Sequence, residues 1–145
     1  MTLPPPDEVL LGRGRSAGVD WELIYRSAMR GLPGPQILLR SGDAGGGGSL
    51  SEKLDFPLGG WGIGHFGPSN DRVPIMTGEV QAEFVGVVVE CADGTVEQAT
   101  IVDAEEMLGF NLYVVPVRGH PLRIVATTSE GRSESLEVRD PMRNA

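Results

Sequence analysis

Cysteine occurs once in the 145 residues, at Cys91, so no disulfide can form within the chain and no oxidising compartment is implied. Lysine also occurs once, at Lys53, beside eleven arginines, a skew that fits coding bias in a GC-rich genome. The net charge of -8 excludes a nucleic-acid binder of the usual kind, which needs clustered positive charge against phosphate. Aromatic residues make up only 6% of the chain, so aliphatic side chains must build most of the core. No apolar run approaches the ~18 residues that a membrane-spanning helix requires. The opening MTLPPPDEVLLGRGR lacks the basic and then apolar regions of a signal peptide. The expectation is a soluble, cytoplasmic protein with no membrane span.

Turn-forming residues are abundant. Gly 21 and Pro 11 are well above the ~12% of average usage, which favours many turns and short elements over long helices. Charge is uneven. Residues 1–72 carry 7 basic and 8 acidic side chains, and residues 73–145 carry 5 and 12. Between Glu79 and Glu106 lie eight acids and no base.

The length fits one domain. A flexible proline-rich arm is expected at 1–7, the domain at 8–138 and a polar tail at 139–145. VLLGRGR suits a short edge strand. VDWELIYR (19–26) alternates Val19, Trp21, Leu23 and Tyr25 with Asp20, Glu22, Ile24 and Arg26, which is the period of a half-buried strand with Trp21 inward. A helix would also gather Trp21, Ile24, Tyr25 and Ala28, but RGLPGP leaves it little room. QILLRS reads as the next strand. GGGGS at 45–49 resembles a flexible linker, yet its flanks belong to one domain, so a hairpin tip is expected there. KLDFPLGG (53–60) suits an edge strand, with Pro57 confining it there.

The second half is plainer. VPIMTGEV is extended, and FVGVVVEC (84–91) is a β-branched run that suits a central strand. ADGT turns the chain into TVEQATIV (95–102) through an Asp-Gly hairpin. DAEEMLG fits a single helical turn closed by Gly109. FNLYVVPV, RGHP and LRIVATT predict a second hairpin, and SEGR leads into SESLEV. Short strands at near-regular spacing predict an all-β, antiparallel, immunoglobulin-like sandwich of about seven to nine strands.

The stretch GEV…FVGVVVECADGTVEQATIV…LGFNLYVVPV…PLRIVATTSEGR resembles small actinobacterial immunoglobulin-like β-sandwich proteins of unknown function. GRGRSAGVDWELI resembles the opening of that family. The resemblance implies a fold and brings no catalytic residues. Secreted relatives often pair a cysteine in the second strand with one in the glycine-rich segment. QILLRS and WGIGHFG carry neither, so the resemblance does not imply extracellular placement.

GIGHFG (62–67) matches the G-x-G-x-x-G phosphate-binding fingerprint, with Glu83 about 20 residues on, where a ribose-binding acid would stand. That site needs a helix after the glycines so that its N-terminus meets the pyrophosphate. Pro68, Pro74 and Gly78 leave no room for one, so no nucleotide cofactor is expected. What remains is a glycine-rich loop at 59–68. Its Trp61, His65 and Phe66 either plug one end of the sandwich or stand out as interface anchors.

His65, His120 and Cys91 lack the spacing of a zinc site. Asp103, Glu105 and Glu106, with Asp93 and Glu97 nearby, have oxygen chemistry suited to calcium but not the order of a known loop, and they read as a solvated acidic surface. No G-x-S-x-G or other catalytic motif appears, so no enzyme activity, cofactor or metal is expected. The expectation is a non-catalytic interaction or structural module, part of a homo-oligomer or larger assembly. The candidate surface is Trp61, His65, Phe66, Asp103, Glu105 and Glu106. The alternative is a small-ligand or carbohydrate module using the 59–68 loop.

Overall fold

The structure, a computed structural model, describes residues 8–26, 36–42, 44–49, 57–67 and 72–138. The expected arm at 1–7, the tail at 139–145 and residues 53–56 of the expected 53–60 strand lie outside these residues, as does the Trp61 side chain. The described chain is all-β and antiparallel, with one short helix. Three sheets of four strands account for it.

The first sheet is a simple meander of β1 (Glu8–Ser16), β2 (Val19–Arg26), β3 (Gln36–Ser41) and β4 (Ala44–Ser49). The tight β1–β2 turn uses Ala17 (φ 52) and Gly18 (φ 83), a backbone shape that favours glycine at the second position. The second sheet takes the order β5 (Leu58–Phe66), β6 (Val73–Val80), β10 (Asn111–Pro116), β9 (Thr100–Val102). The third takes the order β12 (Ser133–Glu137), β11 (Pro121–Thr128), β7 (Phe84–Cys91), β8 (Val96–Gln98). Helix α1 (Glu105–Leu108) joins β9 to β10 and is closed by Gly109 in the left-handed conformation, as expected.

The second sheet is the middle layer, because β10 is buried on both faces. Leu112 and Val114 pack with Trp21, Leu23, Ile37 and Leu39 of the first sheet. Tyr113 and Val115 point the other way and pack with Val87, Val89, Ile124 and Ala126 of the third. This explains why LYVVPV (112–117) is an unbroken apolar run where most strands of the chain alternate.

Several expectations need correction. GGGGS is not the hairpin tip. It lies in β4 and pairs residue by residue with β3, from Gln36↔Ser49 to Ser41↔Ala44. The glycine-rich 59–68 segment is not a loop either, for it forms most of β5 and pairs with β6 through a bulge between Gly59 and Gly62. Glycine is a poor strand former, but a neighbour offering a full ladder of backbone partners outweighs that preference. The 95–102 strand divides at Ala99. Its first half, β8, pairs with β7 and its second half, β9, with β10 of the middle sheet. FNLYVVPV and LRIVATT form no hairpin, because β10 pairs with β6 and β9 while β11 pairs with β7 and β12. The result is twelve strands among the described residues, beyond the expected seven to nine.

Between the middle and third layers, Tyr113 is fully buried and its ring covers Gly78, its partner in the ladder. The hydroxyl finds no hydrogen-bond partner among the described residues. Burial raises the phenol above its usual pKa, and the charge of buried Glu79 raises it further. The folded state therefore favours neutral Tyr113. That contribution is intact below about pH 10, the unfolded value, and is lost as pH rises above it. Tyr113→Phe removes an unsatisfied buried hydroxyl and keeps the ring, so it is expected to leave stability at pH 7 unchanged or raise it by about 1 kcal/mol. Denaturant titrations from pH 7 to 11 should show a shallower alkaline loss in the variant than in the parent.

Candidate functional site

The residues expected to converge at 59–68 are separated by the strand they occupy. Phe66 is 1% exposed and belongs to the first core, its ring lying over Gly64. Phe66 is therefore removed as a surface anchor, and as a wall of a loop-end ligand pocket, because neighbouring strand residues point to opposite faces. His65 is exposed. Ile63, also on β5, is exposed too and went unnoticed in the sequence. Glu83, at the ribose-acid spacing, instead takes a 2.7 Å hydrogen bond from Arg132 Nη2.

The acidic turn keeps all three of its candidates exposed: Asp103, Glu105 and Glu106. Its backbone is held from below by Asn111. The Asn111 Oδ1 accepts the Ala104 N–H at 2.9 Å and the Glu105 N–H at 3.1 Å. Asp103 Oδ1 accepts the Glu105 N–H as well, at 3.3 Å. Leu108 and Phe110 anchor the turn in the first core, while Met107 stands out among the acids. Among the described residues no three His, Cys, Asp or Glu side chains group as they would around a metal. Asn111→Ala leaves the buried Ala104 N–H without its acceptor and the Glu105 N–H with only its longer bond to Asp103, and is expected to cost about 1–3 kcal/mol. Asn111→Asp, which keeps the acceptor, should cost less, and urea denaturation of the pair measures the difference.

Asp93, in the β7–β8 turn, accepts hydrogen bonds from the Thr95 hydroxyl at 2.6 Å and the Thr95 N–H at 3.0 Å. These lower its pKa, the hydroxyl contributing most. Its small contribution to stability is present above about pH 4 and lost as pH falls below that.

A further surface was missed in the sequence. The outer face of the first sheet carries a cross-strand row in which Glu22 stands between Arg13 and Arg40, 3.7 Å from each. Arg15 faces Asp20 in the next row, also at 3.7 Å. These five side chains, with Ser41, line an open concavity of about 540 Å³. The signal was the alternation Gly12-Arg13-Gly14-Arg15, where glycines face inward and arginines outward. The inward glycines permit close packing. A Cβ on Gly14 would stand 2.6 Å from the Trp21 ring, and one on Gly12 would stand 2.8 Å from Val102. Since Val102 immediately precedes Asp103, that second contact brings the acidic turn to the β1 side of the molecule.

The outer face of the third sheet holds a separate ion pair, Arg123 with Glu90, and Arg132 also lies 5.8 Å from the Phe84 ring centre. Among the described residues no helix is long and apolar enough to cross a membrane. No family model, curated protein or solved structure matches the chain.

Proposed function

We propose that the protein is a non-catalytic interaction or structural module, built as an immunoglobulin-like sandwich that carries an extra sheet. The strand order supports the sandwich part. Lettering β5 to β12 as A, B, C, C′, D, E, F and G gives one sheet A-B-E-D and another G-F-C-C′. The B–F cysteine pair and the strand-C tryptophan of antibody domains have no counterparts in β6, β11 or β7. On this reading the meander β1–β4 covers the A-B-E-D face, which is why Ile75, Val102, Leu112 and Val114 on that face are apolar.

The observation that carries the interaction role is the surface the meander adds. In a chain of net charge -8 it presents Arg13, Arg15 and Arg40 together around Glu22 and Asp20, and the acidic turn with an exposed Met107 follows β9 beneath the β1 edge. Exposed charged groups with exposed apolar residues such as Leu10 and Met107 suit recognition of another protein surface, where charge orients the encounter and apolar contact holds it. A photo-cross-linking residue placed in turn at Leu10, Val85 and Met107 in the native host tests the reading. Adducts with one recurring protein, or with the chain itself, are expected from at least one position. Absence of any adduct from all three would remove the interaction role.

A further inference from the structure

We infer that the arginine face of the first sheet and the acidic turn at 103–106 form one self-complementary surface that pairs two copies of this chain. The inference rests on the interaction reading above and names the partner.

Three observations lead to it. First, the arginines of the face are not saturated. Arg26, Arg123 and Arg132 each meet a carboxylate at hydrogen-bond distance. Arg13, Arg15 and Arg40 meet theirs only at 3.7 Å, beyond hydrogen-bond length, and the Arg13 and Arg15 side chains are 70% exposed. Their N–H donors remain available to a better acceptor.

Second, Asp103, Glu105 and Glu106 are exposed and make no ion pair among the described residues. The two sets are of opposite sign and do not bridge each other: Val102, which leads into the acids, packs beneath the edge strand β1 on its inward side at Gly12, while Arg13 and Arg15 stand on the outward side of that same edge. A two-fold axis between two copies places each arginine set against the other copy's acids, satisfying both twice. Third, each set has an exposed apolar neighbour of similar size. Leu10 stands one outward row along β1 from Arg13, and Met107 lies within α1; both are 45% exposed. These supply the dry contact that exposed charge pairs alone do not.

Sedimentation equilibrium on the full chain tests the pairing. The expected result is a concentration-dependent dimer at ~50 mM salt whose dissociation constant rises roughly tenfold or more at ~500 mM, as screened charge pairs require. Arg13→Glu/Arg15→Glu and, separately, Glu105→Arg/Glu106→Arg should each be monomeric, and an equimolar mixture of the two should form a 1:1 heterodimer. Restoration on mixing is a result that a merely structural role for these side chains does not produce. If either reversal fails to fold, as judged by circular dichroism, Arg13→Gln/Arg15→Gln replaces it and should weaken the dimer at least several-fold.

A parent chain that stays monomeric at low salt up to millimolar concentration would overturn the inference, as would a dimer that both reversals leave intact. A monomeric parent that still cross-links to a different protein in the host would overturn self-pairing while leaving the interaction role standing.

Discussion

Trp21→Ala is expected to cost about 3–5 kcal/mol of unfolding free energy, the range for truncating a large buried aromatic. Trp21 is 1% exposed in the first core, and its Nε1 donates a 3.0 Å hydrogen bond to buried Ser16 Oγ. The loss is large here for a further reason. Among the described residues no backbone ladder joins the first sheet to the middle one, and side-chain packing in the first core holds the two together. Removing its largest side chain should also make the first sheet melt ahead of the rest, giving two thermal transitions in place of one. Trp21→Phe, which keeps most of the volume but not the hydrogen bond, should cost less than half as much. A loss below 1 kcal/mol for the alanine variant would mean that Trp21 does not hold the meander.

Gly78→Val should be comparably damaging for the opposite reason, overfilling. A Cβ at position 78 would stand 2.3 Å from both Cζ and the hydroxyl oxygen of Tyr113, and the tyrosine ring, fully buried, has nowhere to go. Overpacking of this kind costs about 3 kcal/mol, sometimes more. Gly78→Ala should cost somewhat less. If the clash is the cause, Gly78→Ala combined with Tyr113→Leu should be more stable than the sum of the single losses predicts, with a coupling of about 1 kcal/mol or more. Additive losses would place the cost of Gly78→Ala in the strand backbone instead.

Both residues illustrate what could be read early. The inward position of Trp21 follows from the period of VDWELIYR alone, and the strand falls at Val19–Arg26 as expected. The Asp-Gly turn and the closing role of Gly109 were legible for the same reason, since each depends on residues close in sequence. Gly78 gave no such sign. Its role comes from Tyr113, which is 35 positions away and faces it only because β6 and β10 pair.

The candidate site was read less well than the fold. The acidic turn stands where its composition placed it, exposed, because a run of charged residues beside a helix-closing glycine has few other options. The 59–68 segment was misjudged, because glycine content marks loops on average but says nothing about a waiting neighbour strand. Once β6 supplies that neighbour, Phe66 turns into the core and His65 out to solvent. The arginine face was overlooked because Arg13 and Arg40 are far apart in sequence and share a row only through Glu22 of the strand between them.

By itself, then, the sequence determined an all-β, antiparallel chain, most of its turns, and which side of several strands is apolar. These are properties of steric preference and of a two-residue period that act over a few positions. The tertiary structure alone decided that there are three layers, that β10 is buried on both faces, that two glycine-rich segments are strands, and that arginines of β1 and β3 meet around Glu22 of β2. The physical reason is that a strand's own residues set its faces, while its neighbours in the ladder are chosen by long-range packing that no local pattern encodes.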